Sequence, residues 1–548
     1  MTRALLLVLL PAAFLAVSPF ALAQPGVHAS EPSFDPEIVL ATGRTPDTPP
    51  MPDRHVAQLH GEYQIRYLRR STLPLMPSPS DPDADSLGQR DAIFHWLRLS
   101  PRVDLYDQIA LIGQVDLPHG YFLGQDTRYV GAAFEPMDRK DGLRVDLRWA
   151  FAQIMTPVGL LRIGQQGSHW GTGILGNDGN HPRLFGDYSR GGIAERILFA
   201  TRPLGKDSPL AVIAAGELIY RDVQADLIDG DRAWQGTLAA LYGDETNEVG
   251  LYGGLRRQRR DRQSIDAFTP YTESLDVVVL DSFARFALPT PEGSGFVFGE
   301  GEAAIVAGST NYVRTPELAA RREDEKIRSW GGQITVGYAR VAHDEDRRWG
   351  DLVLSVEWGY ATGDADPNDG VQRRFNFEPN HKVGLVLFDH VLAWTTARSA
   401  VNATDPSLVQ RPNPGLQFYP SNGGVFGATY LYPTIVIRPK RWLDLKGAAL
   451  LAQSTADMVD PYEFGVQGRI ANARGGDPKR HDLGLELDAG FEVRMAVAQG
   501  ATLQLGAEGG VLFPGHAFDG PGVAMASTGV QGRMPTQSIG LWRLGLQY

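Results

Sequence analysis

The 548-residue chain has no cysteine, so neither a disulfide framework nor a thiolate metal site can be built from it. A second long apolar run is also missing. Beyond the N-terminal segment, nothing approaches the ~20 residues that a membrane-spanning helix needs. A helical membrane bundle is thereby excluded. A basic surplus is absent too: 52 Lys and Arg stand against 64 Asp and Glu, a net charge of −12. Phosphate neutralisation needs the opposite balance, which argues against a nucleic-acid partner. What is plentiful is glycine (62) and proline (37), in a chain 43% hydrophobic and 21% charged. That hydrophobic fraction excludes a disordered chain.

The N-terminus reads as an export signal. Met1-Thr2-Arg3 gives a basic start, Ala4 to Leu10 an apolar core, and Ala21-Leu22-Ala23 a small-x-small cleavage pattern. Residues 1–23 are predicted to be a signal peptide, with Gln24 as the mature end. No cysteine follows, so a lipid anchor is not expected. Residues 24–54 carry seven prolines from Pro25 to Pro52 and read as an extended leader, too short for a folded plug.

From 55 to 548 the pattern is short alternating segments joined by two kinds of connector. Tight ones sit around 104–106, 156–159, 439–440 and 498–500. Long ones, rich in Gly, Pro, Asp and Asn, cover 71–90, 118–141, 166–192, 362–381, 397–422 and 514–534. Tight turns alternating with long loops are the mark of an up-and-down membrane barrel. Leu483, Leu485, Leu487, Ala489, Phe491, Val493 and Met495 share one parity. Glu486, Asp488, Glu492 and Arg494 share the other. A strand sends successive side chains to opposite faces, so this period of two means one apolar and one polar face. Segments of about 11–13 residues suit a tilted bilayer crossing. The predicted fold is all-β: a transmembrane antiparallel up-and-down β-barrel of 16–18 strands, 18 preferred. Trp149, Trp358, Tyr360, Trp442 and Trp542 lie near apolar strand ends, where interfacial girdles belong. Tyr548 closes an alternating C-terminal segment and resembles the signal by which outer-membrane barrels reach the assembly machinery.

If the apolar parity meets lipid, the polar parity faces the interior, and 16–18 strands leave an aqueous channel unless loops plug it. The candidate pore-lining residues are Arg98, Arg102, Asp116, Arg144, Asp146, Arg148 and Arg162 in the N-terminal half, and Glu486, Asp488, Glu492, Arg494 and Glu508 in the C-terminal half. Two readings stand. An arginine track steers anionic or hydroxyl-rich solutes, or the arginines pair with carboxylates and simply hold the wall together. The expected function is weakly selective passage of small or anionic solutes, oligosaccharides included, through a monomer or homo-trimer in the bacterial outer membrane. A loop-plugged structural or surface-binding barrel is the alternative, and an outer-membrane hydrolase the last.

The segment from Ile163-Gly164-Gln165 through Trp170-Gly171 to Phe185-Gly186-Asp187-Tyr188, with Phe94 to Leu99 and Ile112 to Asp116, resembles a family of large outer-membrane barrels found mainly in myxobacteria and relatives. Tyr360 to Gly370, with Asn380-His381-Lys382, is distantly similar to a loop of alginate-export-type porins. Both resemblances imply a pore of about eighteen strands. Gln165 stands where the second group would have an arginine, which weakens the transfer of that group's polysaccharide-binding arginines.

Other chemistry carries less. Asp364, Asp366 and Asn368 alternate as in a calcium loop, but Asp369 and Phe375 stand where an EF-hand has Gly and Glu. A solvated turn is the better reading. The spacings of His169, Asp178 and His181 match no standard metal motif, and no cofactor is expected. The basic run Arg256 to Arg262 reads as a loop between strand ends, able to meet lipopolysaccharide phosphates if extracellular. Ser168 and His169 are adjacent, so on a strand they point to opposite faces, and with no nucleophile–base constellation no enzyme is expected.

Overall fold

The structure, a computed structural model, describes residues 56–76, 86, 91–105, 108–124, 145–187, 191–205, 207–244, 246–262, 271–290, 295–311, 324–340, 350–405, 408, 414–498, 500–521 and 532–548. The signal peptide, the leader and Arg144 lie outside the described residues.

Eighteen long strands form one closed antiparallel sheet. They are β1 (Val56–Arg70), β2 (Asp91–Leu105), β3 (Ile109–Gly124), β4 (Asp146–Thr156), β5 (Gly159–Gly167) and β6 (Ile193–Thr201). Next come β7 (Leu210–Arg221), β8 (Arg232–Gly243), β9 (Glu248–Arg262), β10 (Tyr271–Pro289), β11 (Gly295–Thr310) and β12 (Glu325–Arg340). The last six are β13 (Asp351–Ala361), β14 (Ala428–Lys440), β15 (Leu443–Ser454), β16 (Asp482–Ala498), β17 (Ala501–Pro514) and β18 (Gln537–Gln547). Each pairs with its sequence neighbours, and β1 closes the ring by pairing with β2 and β18. Tyr63 faces Leu97 on one side and Leu546 on the other. Tyr548 exchanges two 2.9 Å backbone hydrogen bonds with Gly61 at this seam. A two-residue strand, Val371–Gln372, adds a short parallel pairing to Lys326 and Ile327.

The connections sort by end. One end has the short ones: 106–108, 157–158, 202–209, 244–247, 290–294, 341–350, 441–442 and 499–500. The other has 71–90, 125–145, 168–192, 222–231, 263–270, 311–324, 362–427, 455–481 and 515–536. The expected long segments 362–381 and 397–422 belong to a single connection, between β13 and β14.

The apolar parity faces out. Ile197, Leu238, Leu251, Leu280, Ile334, Val356, Leu451, Leu487 and Leu544 are all exposed, while Glu217, Glu302, Glu357, Glu486 and Asp488 on the opposite parity are buried. A closed barrel leaves no sheet edge and satisfies its backbone internally. With a continuous apolar exterior, it is the β architecture suited to crossing a bilayer. Trp330, Trp358, Trp442 and Trp542 stand on the outer face.

Two expectations fail locally. Trp149 does not face outward: it is buried, as is Phe151, and both cluster with Ala110 and Ile112. The cause is a bulge. Gln114 pairs with Trp149 and Val115 with Leu147, so Arg148 is the extra residue, and the parity of β4 flips after it. The basic run 256–262 is not a loop but the end of β9. Arg256 pairs with Asp222 at 2.5 Å and Arg260 meets Asp231 at 3.6 Å. Arg257 and Arg259, on the other face, share Asp276 at 3.1 and 2.7 Å. Each of these four arginines finds a carboxylate on its own side, which lets a charged run extend as a strand.

Candidate functional site in the barrel interior

The long connection between β5 and β6 does not stay outside. Residues 168–187 turn into the barrel and meet its wall on several sides. Trp170 donates from its indole to Asp281 on β10 at 3.1 Å and packs edge-on against Phe283, with 5.0 Å between ring centres. Glu302 on β11 accepts from the Thr172 amide at 2.5 Å and its hydroxyl at 2.8 Å. Arg183 pairs with Glu357 on β13. Lys446 on β15 donates to the Leu184 carbonyl at 3.0 Å. The Gly186 amide donates to Glu508 on β17 at 3.0 Å, and Arg543 on β18 binds Asp187 at 2.9 Å and Glu508 at 3.0 Å. Gly171 makes the first bend possible. Its φ of +56° is left-handed, and a Cβ there would meet the Glu302 carboxylate at 2.6 Å.

The predicted interior arginines hold this loop from the β2–β4 side. Arg98 forms a two-pronged pair with Asp116 at 2.8 and 3.0 Å and reaches Asn180 at 2.5 Å. Arg148 is fully buried; it donates to Asn180 at 2.9 Å, to Gln114 and to the Asp178 carbonyl. Asp146 lies 3.6 Å from Arg221. Arg102 and Arg162, nearer the short-turn end, bond Asp104 and Gln153, each at 2.9 Å. Pairing within the wall thus describes these residues better than a row of free guanidiniums. Gln165 lies on the parity of exposed Ile163, and its amide donates to the Leu147 carbonyl at 2.6 Å, so it presents no interior ligand.

A second inward segment comes from the β13–β14 connection. A wide helical turn, Leu387–Leu392, continues into α1 (Ala393–Thr404). Phe388, Val391, Leu392, Trp394 and Ala397 are buried against Leu73, Leu75, Tyr430, Tyr432, Leu450, Leu483 and Leu512. Glu486 is the seat of this helical turn. Its carboxylate accepts from the amides of Leu385, Val386 and Leu387 at 2.5, 2.8 and 2.7 Å, satisfying donors that a helix start leaves open. Glu492 meets Arg494 at 2.5 Å, and Arg494 meets Asp444 at 2.6 Å. Asp488 is buried beside this site. The helix escaped the sequence reading, although Leu387, Val391 and Trp394 repeat at spacings of four and three inside the apolar run from Val383 to Trp394.

Several loop groups titrate abnormally. Burial pushes the Glu378 carboxyl up to about 8, against the pull of the Asn380 amide and Lys382. Burial pushes His169 down to about 3, helped by the neighbouring His181. For Asp178 burial acts upward, but His181, His169 and Arg148 together outweigh it and hold the carboxyl below its usual range. The calcium-like loop is an ordinary turn in its bonding. Asp366 accepts from the Asn368 amide at 3.1 Å, and Asp364 and Asp369 both face Arg373.

No protein-family model matches the chain, and no curated protein matches it. Solved structures do. OccAB1 of Acinetobacter baumannii matches over 90% of this chain and 95% of its own, at 10% identity and a TM-score of 0.45. The outer membrane protein OprD of Pseudomonas aeruginosa matches over 90% and 94%, at 9% identity and 0.45. OmpT, an outer membrane protein of Vibrio cholerae, matches over 90% and 100%, at 8% identity and 0.33.

Proposed function

We propose that the protein is an outer-membrane channel giving passive, weakly selective passage to small polar or anionic solutes, oligosaccharides among them. One observation carries this reading: a closed wall of eighteen strands, apolar outside, encloses an interior of charged groups narrowed by the 168–187 loop. In this reading Arg98 and Arg148 set the loop's position. Arg162, bonded to the uncharged Gln153, biases passage toward anions, whereas the charge of Arg102 is balanced by Asp104. Lipopolysaccharide surrounds the barrel, the Tyr548 strand serves its assembly, and a single chain or a trimer is the working unit.

Liposome swelling with sugars of graded size tests the proposal. Entry that slows with solute size supports a channel. Swelling no faster than that of protein-free vesicles at every size contradicts it. That second result is what the alternative, a structural barrel closed by its own loops, requires. The apolar core around Phe388 and Trp394 inside the wall favours that alternative.

A further inference from the structure

The interior loop gathers three residues whose sequence spacing suggested nothing. His169 leaves β5, while Asp178 and His181 sit on the return, and their donor atoms all lie within 4.8 Å of one another. Asp178 Oδ1 and His181 Nδ1 are 3.1 Å apart. The two imidazoles stack with 3.5 Å between centres at 19°. His169 Nδ1 is buried and has no hydrogen-bond partner among the described residues. A buried ring nitrogen of this kind is costly unless something takes it up.

We propose that His169, Asp178 and His181 bind one divalent transition-metal ion, with zinc as the reference case. Two imidazoles and one carboxylate are a borderline donor set, suited to zinc and its first-row neighbours rather than to calcium or magnesium, which take oxygen. Tetrahedral bonds of ~2.0–2.1 Å place donors ~3.3 Å apart. The Asp178–His181 pair, at 3.1 Å, is near that spacing, whereas the His169 ring must turn out of its near-parallel stack on His181 to aim a nitrogen at the same ion. The surroundings supply support. Asn180 donates from its side chain to Asp178 Oδ2 at 3.3 Å and from its amide to Oδ1 at 2.9 Å, and Arg148 fixes the Asp178 carbonyl. Such outer contacts orient a metal's ligands. His181 keeps 28% of its side chain exposed, which leaves a path for the ion and room for a water as fourth ligand. Bound there, the ion ties the start of the interior loop to its midpoint and stiffens the element that crosses the barrel.

Isothermal titration of zinc chloride into the folded full chain in detergent micelles reads the site directly. One ion per chain is expected, and cobalt in its place should give a visible d–d absorption band. His169→Ala and His181→Gln should each weaken binding by more than ~100-fold, beyond the range for losing an outer contact, and abolish the band. His516→Ala, at an exposed position just after β17, should leave both readings unchanged. Heat-modifiable migration on gels confirms that each variant is a folded barrel. No stoichiometric binding by the parent chain, or binding that persists in folded His169→Ala and His181→Gln, overturns the proposal.

Discussion

Arg543 shows how one side chain can position a whole loop. It holds Asp187 at 2.9 Å and Glu508 at 3.0 Å, and donates to the Gly186 carbonyl at 2.7 Å. Truncation leaves two carboxylates facing each other without their shared cation. Breaking such a pair typically costs about 3–5 kcal/mol, so Arg543→Gln is expected to strip amide protection from 183–187 in hydrogen exchange while the strands keep theirs. Protection unchanged at Gly186 would contradict this anchoring. Glu378 gives a pH test of the second inward segment. Its folded pKa of about 8 is raised above the unfolded value, so its contribution to stability is fully present below pH ~4 and is lost as pH rises toward 8. Glu378→Gln should remove that dependence. Protection of 375–381 should then change less between pH 5 and 9 in the variant than in the parent chain. At this scale the sequence was partly legible. Arg98, Asp116, Arg148 and Glu486 fall on the interior parity, as the period of two requires. Trp149, expected on the outer face, turns inward as well, because a bulge at Arg148 resets the count and alternation alone cannot locate an inserted residue.

At the scale of elements, the strands were legible and the loops were not. A strand's face is written locally, in every second residue. The path of a loop depends on partners far away in sequence, as Glu302 is from Thr172 or Glu486 from Leu387. The helix within 362–427 is held by packing against the wall. Phe388→Ala should cost about 3–5 kcal/mol and lower the temperature at which that segment becomes protease-sensitive, with the eighteen-strand sheet still migrating as a folded barrel. Equal sensitivity in the two proteins would count against a packed interior helix. Shortening the other inward element, by replacing 173–185 with a Gly-Ser linker, should widen the passage and admit larger sugars in liposome swelling. An unchanged size limit would place the constriction elsewhere.

The whole molecule is organised by which solvent meets each face. A soluble sandwich would have put Leu280, Ile334 and Leu487 against a second layer. They stand exposed on a closed ring instead, while the charged parity is enclosed. That division explains how a chain without disulfides holds together: backbone pairing closes on itself at the β1–β18 seam, and the interior is knit by ion pairs and by apolar clusters such as the one around Phe388 and Trp394. In the proposed channel these pairs limit selectivity, since a paired arginine steers solutes less than a free one. The proposed channel stands or falls on whether this enclosed interior conducts, which single-channel recording of the purified chain in a planar bilayer reads, with the loop-shortened variant alongside. Stable ohmic steps are expected from the parent chain and larger ones from the variant; membranes that stay silent with both proteins would rule a channel out.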